Sequence, residues 1–106
     1  MISPGVDLSI MTLKNSTALL PLFKLKKIQK NYGKNTYEAL NAGFLWGYEG
    51  LINNIIKKIS KNAKIKFKII LTGGYAKLFK RYLKKKSTID ENITINGIAK
   101  AFKELI

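Results

Sequence analysis

The chain has 106 residues, enough for one small domain and too few for a two-domain enzyme, because domains typically run to about 100–150 residues. With 46% hydrophobic and 25% charged residues and a mean hydropathy of -0.05, it is too apolar to be disordered by composition. It contains no Cys and no His, which excludes disulfides, thiolate metal sites and Ser-His-Asp or Cys-His catalysis, and its net charge of +14 rests on nineteen Lys and the single Arg81.

In chain order, Pro4-Gly5 is a turn signal, and Asp7 or Ser9 is expected to cap a first helix running toward Leu20, where Pro21 stops it. Residues 22–34 alternate apolar Phe23, Leu25 and Ile28 with Lys24, Lys26, Lys27 and Lys30. They read as a connecting segment with room for a short edge strand, since alternate Lys suits an exposed edge. Asn35-Thr36-Tyr37-Glu38 then makes a capping-box-like start after a Gly33 turn. A long helix should follow, with Leu40, Phe44, Tyr48, Leu51, Ile52, Ile55 and Ile59 on one stripe and Lys57, Lys58 and Lys61 in its last turns.

That helix also carries Gly43, Gly47 and Gly50, each costing about 1 kcal/mol relative to Ala in a helix interior. Ala39, Gly43 and Gly47 fall at i, i+4 and i+8, a track along which another backbone can approach closely. Intramolecular packing, a subunit interface and a substrate wall all use such a track, and the spacing leaves the three open. Gly43-x-x-x-Gly47 also matches the membrane dimer motif. Glu49, Asn41, Asn53 and Asn54 interrupt that stretch, so a soluble helix is expected and no membrane partner.

Ile65, Phe67 and Ile69 alternate with Lys64, Lys66 and Lys68 and run into Ile70-Leu71, the periodicity of a strand over 65–71. After Thr72-Gly73-Gly74, the residues Tyr75, Leu78, Phe79, Tyr82 and Leu83 repeat as a helix stripe, with Lys84-Lys85-Lys86 as its solvated end. Asp90-Glu91-Asn92 reads as a turn, and Thr94 is expected to cap a last helix with Ile98, Ala101, Phe102 and Leu105 on one face.

Two places are site-like. At Thr72-Gly73-Gly74, glycines between strand and helix let main-chain N–H groups face a nucleotide or phosphate with no Cβ in the way, although glycine also serves such turns for geometry alone. At Asn35-Thr36, N–H groups and a hydroxyl can grip a carboxylate or an amide, beside the simpler role of capping. The six acids, Asp7, Glu38, Glu49, Asp90, Glu91 and Glu104, include no pair spaced as general acid and base, and no catalytic residue or metal ligand is assigned. Lys, Ile and Asn make up 43 of the 106 residues, the bias of an AT-rich coding sequence. A nearly Arg-free chain lacks the forked donor suited to phosphates and guanine edges, so the Lys clusters at 24–34 and 84–86 are read first as solvated faces. Met1-Ile2-Ser3-Pro4-Gly5 lacks the basic start and apolar run of a signal peptide, and a cytoplasmic chain is expected.

Taken together, Ile2-x-Pro4-Gly5, Leu13 with Thr17-Ala18-x-Leu20-Pro21, Gly33-Lys34-Asn35-Thr36-x-x-Ala39-x-x-x-Gly43 with Gly47-Tyr48-x-Gly50, Thr72-Gly73-Gly74-x-Ala76 and Ile93-Thr94-Ile95-x-Gly97 resemble the second half of type III pantothenate kinase. The resemblance covers nearly the whole chain. Gly-Lys-Asn-Thr before the glycine-bearing helix is its most specific part, whereas Thr-Gly-Gly is common to the wider acetate and sugar kinase, Hsc70 and actin superfamily.

The resemblance implies an α/β fold for residues 1–106, helix-rich with few strands. They would form an incomplete ribonuclease-H-like lobe lacking the N-terminal lobe and the first strands of the C-terminal lobe. It implies ATP-dependent phosphorylation of pantothenate to 4'-phosphopantothenate, toward coenzyme A, with a divalent cation (magnesium) and a monovalent cation (potassium or ammonium). It places Asn35 and Thr36 at pantothenate, Thr72, Gly73 and Gly74 beside the adenosine side of ATP, and Ala39, Gly43 and Gly47 at a dimer interface. The family's Asp-x-Gly-Asn phosphate loop, its Gly-x-Asp-Arg motif with the catalytic base and its Asp-x-Gly-Thr segment have no counterpart here. The isolated chain is therefore expected to be inactive, working as a homodimer or with a separately encoded N-terminal half. A basic nucleic-acid-binding module and a non-catalytic accessory factor of the same fold are the alternatives.

Overall fold

Two helices and an extended strap build the first of the two units into which the chain divides, Met1–Asn62 and Ala63–Ile106; the computed structural model describes residues 1–17 and 19–106. Helix α1 (Val6–Ser16) starts after Gly5 with no side-chain cap. The expected cap residues do other work: Asp7 sits in the first turn, where a carboxylate complements the helix dipole, and the Ser9 hydroxyl lies 2.7 Å from that of Tyr48. The helix also stops at Ser16, short of Leu20. Thr17 is extended, at φ -134 and ψ 133, and its hydroxyl donates to the Leu13 carbonyl at 2.8 Å, a local bond that competes with continuing the helix. Ala18, in the Thr17-Ala18-x-Leu20-Pro21 segment, lies outside the described residues.

Residues 20–28 form no strand, although their alternation is used. Helix α2 (Thr36–Asn62) offers the amide of Asn41, which accepts from the Lys26 N–H at 2.9 Å and donates to the Lys26 carbonyl at 2.8 Å. One side chain thus meets both backbone groups of a residue, as a neighbouring strand would. The strap so held turns Leu25 into the core with Val6, Ile10, Ala42 and Leu45 and sets the Phe23 ring edge-on to Phe44 at 5.3 Å. The buried side of α2 is therefore Asn41, Ala42 and Leu45, not the expected stripe. Leu40, Phe44, Tyr48, Ile52 and Ile55 are half-buried, and Leu51 and Ile59 are exposed. Among the described residues no helix is long and apolar enough to cross a membrane.

In the second unit, β1 (Ile70–Leu71) and β2 (Thr88–Ile89) pair in parallel, Ile70 opposite Thr88 and Leu71 opposite Ile89. The strand expected over 65–71 shrinks to its last two residues, because a ladder extends only as far as its neighbour. Ile65 and Phe67 stay exposed. Between the strands lies α3 (Ala76–Lys80), shorter than the stripe from Tyr75 to Leu83 implied. Beyond it, Tyr82 N–H bonds the Phe79 carbonyl and Leu83 N–H that of Lys80, the i to i−3 pattern of a tightened last turn. Ala76 and Phe79 are buried. Helix α4 (Ile93–Leu105) follows Asn92, with no cap from Thr94, and buries none of its residues. The architecture is helix-rich with a small parallel sheet, an α/β arrangement centred on β1, α3 and β2.

Candidate functional site

The start of α2 is built locally. Asn35 Oδ1 accepts from the Glu38 N–H at 2.9 Å, as an N-cap should. The Glu38 carboxylate returns to accept from the N–H of Lys34, also at 2.9 Å, one residue earlier than the reciprocal bond of a standard capping box. The turn that permits this passes so close to the helix that a Cβ on Gly33 would run into the backbone of Glu38 and Ala39. Gly33 is thus required by contact rather than by an unusual dihedral angle.

This turn and the first helical turn border an open hollow of about 570 Å³ lined by Leu20, Gly33, Lys34, Asn35, Thr36, Ala39 and Leu40. Asn35 is committed to the cap, whereas Thr36 is exposed and its hydroxyl has no bond to the described residues. With Lys34 on the wall and the positive end of a 27-residue helix beneath, the hollow suits a ligand bearing a carboxylate and polar groups. Ala39 and Leu40 also belong to a second hollow of about 450 Å³, reached along Gly43, Phe44, Gly47, Tyr48 and Leu51 and bounded by Pro4 and Ser9. Tyr48 shapes that end: its hydroxyl meets Ser9 and lies 3.0 and 3.1 Å from the carbonyls of Pro4 and Gly5. The small-residue track is open, because a Cβ on Gly43, Gly47 or Gly50 would meet nothing within 4 Å. No packing among the described residues accounts for these glycines.

Thr72-Gly73-Gly74 leaves the end of β1 through Gly73 at φ +95, a backbone region that disfavours any side chain. Gly73 and Gly74 line a hollow of about 370 Å³ with Ala76, Lys77 and Glu91; Thr72 is not part of that lining. The following helix has five residues, too few for a strong dipole. The carboxylate of Glu91, 4.0 Å from the Lys77 ammonium, opposes a phosphate there and suits hydroxyl donors. The two candidate sites belong to different units. Among the described residues no three acidic side chains gather into a cluster that could hold a metal ion.

Sequence reasoning missed Asn41, whose double bond to Lys26 positions the strap leading to the first hollow. Its only signal was a polar residue inside an otherwise apolar helix. The 570 Å³ hollow, in contrast, carries both residues expected at a substrate.

Comparison with known proteins adds an independent line. A family model described as type III pantothenate kinase matches residues 1–58. A type III pantothenate kinase of Pelagibacter ubique (strain HTCC1062) is 48% identical over 101 residues, which cover 95% of this chain and 41% of that relative. Those of Sulfurihydrogenibium sp. (strain YO3AOP1) and Dictyoglomus turgidum are 37% and 38% identical, over 92% of this chain and 39% of each relative. The chain spans about two fifths of the length of these curated relatives.

Proposed function

Because the chain belongs to the type III pantothenate kinase family, we propose that it supplies the pantothenate-binding part of an ATP-dependent kinase that makes 4'-phosphopantothenate for coenzyme A synthesis. The observation that carries this reading is the Thr36 hydroxyl, with no bond to the described residues and set on the wall of the hollow beside the capped start of α2. The hydroxyl and the first-turn N–H groups bind the pantothenate carboxylate and amide, and Lys34 adds charge attraction. Asn35 acts indirectly, by holding the helix start in place.

The Gly73-Gly74 turn takes the adenosine side of ATP, with Glu91 offering an acceptor to ribose hydroxyls. Among the described residues no three acidic side chains gather to hold a divalent cation. Magnesium, and potassium or ammonium, would be held by the nucleotide and by the rest of the family's polypeptide. Phosphoryl transfer depends on positioned charges and a base, and no acid lines the first hollow. The chain alone thus binds and orients but does not turn over. The kinase reading extends to a ribonuclease-H-like lobe of the actin and sugar-kinase superfamily, to residues 1–106 as the C-terminal part of the enzyme, to a cytoplasmic location and to a homodimer through Ala39, Gly43 and Gly47. Family membership favours it over a nucleic-acid module or an accessory factor.

Titration calorimetry of the purified chain with pantothenate tests the proposal. Weak binding is expected, and Thr36→Val should reduce it about 10- to 100-fold, the range of a hydrogen bond to a charged group, with an unchanged melting temperature. Efficient pantothenate phosphorylation by the 106-residue chain alone, or equal binding by the variant, would contradict it.

A further inference from the structure

We propose that the apolar face of α4 is the docking surface for the portion of the family's polypeptide that this chain does not span. The inference rests on the family assignment and not on the kinase reading. Ile95, Ile98, Phe102 and Leu105 share one face of α4, 64%, 64%, 63% and 87% exposed, while Asn96, Lys100, Lys103 and Glu104 lie on the other. A 13-residue helix is marginal in water by itself and gains most of its stability from burying such a face. Four large apolar side chains in one contiguous row are more than scattered surface residues account for.

A second observation in the same unit points to the same occupant. The sheet has two parallel strands, both of them edges, with Ile70 48% exposed. Parallel sheets occur covered on both faces, and two strands alone are marginal. The unit therefore lacks both neighbouring strands and a cover for its last helix. The relatives carry more than half of their length outside the matched stretch, enough chain for both. A second copy fits less well, because it has the same two-stranded sheet to complete.

The test co-expresses the affinity-tagged 106-residue chain with the part of the Pelagibacter ubique relative outside the match. Co-purification in a 1:1 ratio is expected, with tryptic cleavage after Lys100 and Lys103 slowed at least tenfold relative to the chain alone. Phe102→Glu should cut co-purification at least tenfold without altering the chain's own melting, because that ring is already exposed, whereas Lys100→Glu on the opposite face should leave it intact. No complex, or a complex in which α4 is cut as fast as before, overturns the proposal. So does protection that arises in the chain alone with rising concentration, which assigns the face to a second copy, or only with anionic vesicles, which assigns it to a lipid surface. Pantothenate phosphorylation is measured on the same preparation: an inactive complex with protected α4 defeats the kinase reading alone, and an active one with accessible α4 defeats this inference alone.

Discussion

Adding one methyl group to Gly33 or to Gly43 is the same chemical change in two environments. At Gly43 the new Cβ meets nothing within 4 Å, so the variant keeps only the gain in helix propensity, about 1 kcal/mol. At Gly33 the Cβ would run into the backbone of Glu38 and Ala39, and backbone atoms inside a first helical turn cannot rotate away. The turn must lift off, taking with it the bonds from the Lys34 N–H to Glu38 and from the Glu38 N–H to Asn35. Loss of a cap costs about 0.5–2 kcal/mol and overpacking about 1–3 kcal/mol, so a net loss of about 2–4 kcal/mol is expected for Gly33→Ala. For a domain of this size about 1 kcal/mol shifts the melting temperature by 4–8 °C. Urea titrations followed by far-UV circular dichroism should therefore move the two midpoints apart, Gly43→Ala upward and Gly33→Ala downward. Midpoints that move together, or a Gly33→Ala loss below about 0.5 kcal/mol, would refute the close approach on which the hollow depends.

Asn41→Ala removes both bonds to Lys26, worth about 0.5–1.5 kcal/mol each; a fall of about 1–3 kcal/mol in urea stability is expected, with faster amide exchange at Lys26. Gly73→Ala forces a Cβ into φ +95, a strain of about 1–3 kcal/mol, so hydrogen-exchange protection at the Thr88 and Asp90 amides, which donate to the Ile69 and Leu71 carbonyls, should weaken while that of α2 is unchanged.

What was legible in the sequence was local. The cap at Asn35, the turn at Gly33 and the helix that follows depend on residues a few positions apart, and each stands as read. What was not legible depended on distant partners. The stripe from Leu40 to Ile59 was counted from periodicity, yet the face that is buried is chosen by whatever lies against it, and Asn41 fastening Lys26 turns the helix onto Ala42 and Leu45. The strand over 65–71 had the right alternation and the wrong length, since its extent is set by Thr88–Ile89, two residues beyond a Lys run with no alternation of their own. Pro21 reads as the stop of α1, whereas Thr17 ends it first, its hydroxyl donating to the Leu13 carbonyl. At the second site the glycines were legible and Glu91 was not, because it lies seventeen residues away in a segment read only as a turn.

The helix glycines connect these points. Gly43, Gly47 and Gly50 weaken α2 by about 1 kcal/mol each, and the described structure gives nothing back at those positions, since their faces are open. A cost without intramolecular compensation is explained if a second backbone comes closer than any Cβ would allow, which is what a subunit interface through Ala39, Gly43 and Gly47 requires. Gly43→Ala then has two signs. It stabilises the isolated chain, as argued above, and it pushes apart whatever packs along the track. Sedimentation of the proposed homodimer carrying the variant separates the readings: a looser dimer from a more stable protomer supports the interface, and an unchanged dimer leaves the glycines to the groove they line beside the Thr36 hollow.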